Sequence, residues 1–127
     1  MIWYVAIGSA IGGAARLVLG ALVQQRSGAS FPVGTLVVNV TGCFLVGVFA
    51  RYMLATEAFS PNVRAMLTTG FCGGFTTFST FSYETLLLME SGQVGRGVSY
   101  VAASVGLSLA ATALGFSAAR ALAAARL

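Results

Sequence analysis

Four apolar stretches, about Tyr4 to Val23, Gly34 to Leu54, Val63 to Glu90 and Val98 to Leu122, take up nearly all of this 127-residue chain. A helix crosses a bilayer on roughly 20 predominantly apolar residues, so each stretch is long enough for one crossing. Only 8% of the residues are charged and the mean hydropathy is +0.90, whereas a soluble domain carries about a quarter charged residues. These features predict an all-α integral membrane protein, a single four-helix membrane domain over residues 1–127 with short antiparallel connections. With no length left for a soluble domain, its function is expected inside the lipid bilayer.

The leading Met1-Ile2-Trp3 has no basic residue, and the apolar run after it outlasts a signal-peptide h-region. It reads as an uncleaved first span. Cys43 and Cys72 fall inside spans and read as small apolar filler. The chain contains no His and no Asp, which excludes a Ser-His-Asp triad and a His-based zinc site. Neither a nucleotide-binding glycine loop nor a nucleic-acid module is present. An enzyme is therefore not expected, and nor is a nucleic-acid partner.

All seven positive charges are arginine, and in a membrane protein their placement bears first on orientation. On the four-span reading Arg51, Arg64, Arg120 and Arg126 lie towards one face, and Arg26, Arg96 and Arg16 towards the other. That bias is weak. Charge alone leaves open both a single orientation and insertion of the same chain both ways round.

Glycine is spread through the spans, where small residues let helices approach closely. Close packing explains most of the glycines. It does not explain "GFCGGFTTFSTFS", Gly70 to Ser82, where Gly73-Gly74 and Thr76-Thr77 weaken a helix at the bilayer centre. A break there frees backbone carbonyls and N–H groups. Such groups cannot face lipid, so they must meet protein, water or an ion.

If a helix resumes near Phe75, its spacing aligns Thr77, Phe81 and Glu84, with Thr80 beside them, and sets Phe78, Ser82 and Thr85 on a neighbouring stripe. Asn39 lies mid-span in the second stretch. Ser104, Ser108 and Thr112 recur every fourth residue along the last, one turn beyond Tyr100. Taken singly, such hydroxyls bond back to their own helix and such rings pack. Taken together, donors and the positive edges of aromatic rings suit a small, partly dehydrated anion. A fixed charge at mid-pore would hold that anion too tightly for conduction. Arg16 lies nearer a span end, where two readings stand: attraction of anions into a mouth, or snorkelling to the interface.

"GGFTTFSTFSYE" resembles the signature of the Fluc (CrcB-type) fluoride channels, and the similarity extends to "GGAARLVLG", "PVGTLVVNVTG" and "YVAASVGLSLAATALG". The resemblance implies a homodimer of two identical, oppositely inserted subunits in a bacterial inner membrane, with two pores that export fluoride down its gradient. It implies that Phe78 and Phe81 are pore phenylalanines, that Asn39 is the asparagine of the second helix, and that Ser79, Thr80, Ser82 and Ser108 are lining hydroxyls. Tyr100 and Glu84 match further pore-side positions, and Arg16 matches a vestibule arginine. It also implies a structural sodium ion between the subunits, held by backbone carbonyls at Gly73 and Thr76, in keeping with the oxygen ligands hard cations take. Arg51 departs from the pattern, which has an uncharged residue late in the second helix. Two other readings remain. A small dual-topology, proton-coupled secondary transporter would use Glu84, although such proteins depend on a carboxylate in the first helix and this chain has only Arg16 there. A noncatalytic assembly factor would use the ring and hydroxyl stripes only as helix interfaces.

Overall fold

A computed structural model describes residues 1–126. The described chain is all-helical: α1 (Ile2–Ser27), α2 (Val33–Leu54), α3 (Pro61–Ala65), a π-helical segment (Met66–Cys72), α4 (Gly73–Phe75), α5 (Phe78–Glu90) and α6 (Val94–Ala124). Three helices, α1, α2 and α6, are each long and apolar enough to cross a membrane. The chain between Pro61 and Glu90 is assembled from shorter segments instead.

Local chemistry sets the ends of these elements. α1 stops where Gly28 turns left-handed at φ 61°, a conformation that carries no steric cost without a Cβ. Gln24 then ties α1 to α2. Its Nε2 donates to the Ala29 and Phe31 carbonyls at 2.9 and 3.0 Å, and its Oε1 accepts from the Gly34 N–H at 2.9 Å. The α2–α3 connection is pinned by Arg64, which donates to the Thr56 and Phe59 carbonyls at 2.9 and 3.1 Å. α3 opens with a Ser60 N-cap followed by Pro61, the pairing expected at a helix start.

The sequence places the weak point of the third stretch at Gly73-Gly74 and Thr76-Thr77. The structure keeps Gly73 helical, at φ −64° and ψ −37°, and places the extended residues at Thr76 and Thr77. The reason is hydrogen bonding. The Thr77 hydroxyl accepts from the Thr80 N–H at 3.1 Å and so caps α5, which requires Thr77 to be extended.

Packing runs along two seams of small residues. A Cβ on Gly47 or Gly115 would overlap the backbone of the other helix, so α2 and α6 touch main chain to main chain, and the Thr112 hydroxyl donates across the seam to the Cys43 carbonyl at 3.1 Å. Gly8 and Gly12 of α1 meet Gly70 and Phe71 in the same way, and the Ser9 hydroxyl donates to the Gly70 carbonyl at 3.3 Å. Lipid supplies no hydrophobic drive between helices, and close contact of this kind takes its place. The core is small, with Val38 and Tyr100 wholly buried. Large apolar side chains such as Ile11, Leu17, Leu109 and Leu114 point outward, as a hydrocarbon solvent allows.

Candidate functional site

The extended Thr76–Thr77 link lies against α2, and Asn39 holds it. In an unbroken helix the Thr77 N–H would bond to the Gly73 carbonyl; here it donates to Asn39 Oδ1 at 2.7 Å, while Asn39 Nδ2 donates to the Thr77 carbonyl at 3.1 Å. The Thr80 N–H is likewise turned from the Thr76 carbonyl to the Thr77 hydroxyl. The carbonyls of Gly73 and Thr76 thereby lose their helical donors, and Gly73 is exposed on the outside of the chain. Backbone carbonyl oxygens are among the ligands that hard cations take.

Beside the link lies a cavity of about 350 Å³, bounded by Asn39, Cys43, Thr76, Thr77, Phe78, Phe81, Ser104 and Ser108 with Val105 and Leu109. Its polar atoms are unevenly committed. One hydrogen of the Asn39 amide is engaged, leaving the second, since a primary amide has two. Ser104 is only 7% exposed and its hydroxyl has no hydrogen-bond partner among the described residues. A buried hydroxyl left so costs about 1–3 kcal/mol. The Phe81 ring stands 5.6 Å from that of Phe78 and 5.2 Å from that of Tyr100, centroid to centroid, and Phe31 meets Tyr100 edge-on at 5.4 Å. The aromatic file thus runs from a fully buried Tyr100 to a Phe78 that is 80% exposed.

A second cavity, about 530 Å³, is bounded by Arg16, Gly13, Gly20, Thr35, Val38, Thr77 and Thr80. Thr77 borders both. Arg16 Nε is buried without a partner among the described residues. Glu84, one helical turn beyond Thr80, accepts a hydrogen bond of 2.5 Å from the Thr35 hydroxyl.

The remaining candidates lie apart from the two cavities. Ser79 is exposed and its hydroxyl is 3.3 Å from that of Thr77. The Ser82 hydroxyl donates back to the Phe78 carbonyl at 2.9 Å, and that of Thr112 is committed to the Ser108 and Cys43 carbonyls. Sequence reasoning does not single out Thr35, Cys43 or Phe31 as site residues. For Thr35 a signal exists: it lies four residues before Asn39, on the same helix face. For Phe31, which precedes α2, none does.

The chain matches the family model described as "CrcB-like protein, Camphor Resistance (CrcB)" over residues 3–116. It is 49% identical over 119 residues to a protein of Rhizobium johnstonii named "Fluoride-specific ion channel FluC", covering 94% of this chain and 95% of that one. Proteins of the same name from Geobacter sulfurreducens and Aquifex aeolicus are 48% identical over 118 residues and 43% identical over 116, covering 93% and 91% of this chain and 95% and 94% of theirs.

Proposed function

This chain belongs to the CrcB-like protein family, and from that premise we propose that it is a passive, fluoride-selective channel of the cell inner membrane. It is a multi-pass membrane protein and not an enzyme. The observation that carries the proposal is the Ser104 hydroxyl, a buried donor without a partner on the cavity that Asn39, Phe78 and Phe81 share. Fluoride is small and tightly hydrated, so a path must replace water's hydrogen bonds with its own. Ser104, Ser108 and the free Asn39 hydrogen supply donors, and the ring edges of Phe78 and Phe81 supply the positive end of a quadrupole. Arg16 raises anion concentration in the cavity it borders, with Thr80 and Thr77 leading from there to the rings. Larger halides fail to fit the narrow bore while keeping those contacts.

In this reading Pro61–Glu90 makes a fourth membrane crossing, interrupted at Thr76–Thr77. The exposed Gly73 carbonyl, deprived of its helical donor, cannot face hydrocarbon. A second copy of the chain, inserted the other way round, would cover it and would bring its own Gly73 and Thr76 carbonyls to the same axis, giving two pores per dimer. Those four oxygens fit a sodium ion, whose charge would hold the two interrupted segments together. Efflux from proteoliposomes containing only this chain tests the function. Fluoride should leave rapidly while chloride is retained; equal release of both, or of neither, removes the reading.

A further inference from the structure

At the far end of the α2–α6 seam, Arg51 and Arg120 border one groove of about 280 Å³ whose walls are Leu54, Ala55, Ala119 and Ala123. Among the described residues no carboxylate lines it. The neighbouring arginines are otherwise engaged: Arg64 donates to the Thr56 and Phe59 carbonyls, and the Arg126 guanidinium lies 5.3 Å from the centroid of the Tyr52 ring. α2 and α6 both end here. Each helix C-terminus contributes only about half a negative elementary charge, against two full guanidinium charges, so the groove stays electropositive. Because both helices are long enough to span a membrane, their ends lie at the level of lipid headgroups.

We propose that this groove binds the phosphate of an anionic phospholipid. Arg51 and Arg120 hold the phosphate oxygens, which guanidinium geometry suits. The alanine walls and Leu54, 73% exposed, carry the glycerol and the start of an acyl chain. Basic pockets between membrane helices bind such headgroups by the same physics. A lipid bound there would brace the α2–α6 seam and would neutralise the two arginines that border the groove.

Native mass spectrometry of the full chain, released from micelles with equal phosphatidylglycerol and phosphatidylcholine, reads this directly. The protein should retain phosphatidylglycerol preferentially. Arg120→Gln should weaken that retention about fivefold, and the double variant Arg51→Gln/Arg120→Gln about 25-fold, on the basis of about fivefold per arginine at a membrane surface. Both side chains are exposed, so folding is not at stake in either variant. Arg26→Gln, at the opposite end of the helices, should leave retention unchanged. An unaltered preference in the double variant overturns the proposal, as does an equal loss in Arg26→Gln. Displacement of the lipid by millimolar inorganic phosphate overturns it too, by making the groove a site for soluble anions.

Discussion

Asn39 clamps both main-chain groups of Thr77: its Oδ1 takes the N–H at 2.7 Å and its Nδ2 gives a hydrogen to the carbonyl at 3.1 Å. One side chain on α2 thus replaces the helical bonds that the chain gives up between α4 and α5.

Removing that clamp should be felt in the fold before it is felt in conduction. Asn39→Ala leaves two part-buried backbone groups unpaired, at about 1–3 kcal/mol each. We expect a thermal unfolding midpoint in detergent well below that of the parent. Asn39→Asp keeps the acceptor and should recover part of the loss. A melting curve for Asn39→Ala that overlays the parent's would show the clamp to be incidental.

Phe78 and Phe81 make contrasting tests because the Phe78 ring is exposed at the end of the aromatic file and that of Phe81 lies within it, between Phe78 and Tyr100. Phe78→Ile and Phe81→Ile each remove a ring edge while keeping apolar bulk. Both should abolish fluoride efflux from liposomes while eluting as the parent does on size exclusion. Full efflux in both variants takes the rings out of the mechanism.

Glycines along the α1 seam are irreplaceable for a reason the Gly95 position lacks. A Cβ at Gly12 would strike the Phe71 main chain, whereas one at Gly95 meets nothing within 4 Å. Gly12→Ala should therefore prevent recovery of folded protein. Gly95→Ala should leave stability unchanged or raise it by up to about 1 kcal/mol, through the lower backbone entropy of alanine. The pair is read by yield and thermal melt; equal behaviour of the two variants refutes the close-contact account.

A channel and a proton-coupled exchanger differ in what drives them. Glu84 accepts from Thr35, and a transporter would require that carboxyl to load and unload a proton. For a passive channel, fluoride efflux started by valinomycin should proceed at the same rate when a protonophore has collapsed the proton gradient. Strict dependence on that gradient would favour the exchanger.

Sodium supplies the last test. If the Gly73 and Thr76 carbonyls hold the ion, exchanging sodium for N-methylglucamine should lower the melting temperature of the protein, and returning it should restore that temperature. Identical melts in the two buffers argue that these carbonyls have another partner.

Much of this protein was legible in its residues. The near absence of charge over runs of about 20 residues commits the chain to helices, because a bilayer tolerates no unpaired backbone. The run of rings and hydroxyls after Gly73-Gly74 is legible as well, and Phe78 and Phe81 from it border a cavity together with Asn39.

Position within that run depended also on contacts distant in sequence. Local propensity weakens the helix at Gly73-Gly74 and Thr76-Thr77 alike; the extended residues are Thr76 and Thr77, where the Thr77 hydroxyl caps α5 and Asn39, 38 positions away, bonds to the Thr77 main chain. The same holds for the hydroxyls. Spacing put Ser104, Ser108 and Thr112 on one stripe, but only the packing of α2 against α6 gives the Thr112 proton to Cys43 and leaves that of Ser104 without a taker. The sequence by itself determined which segments are helical and which carry donors, because hydropathy and helical periodicity are properties of neighbours along the chain. Which donors remain free was decided by tertiary structure, because a hydrogen bond is satisfied by whatever group the fold brings within 3 Å or so, and that group here lies on another helix.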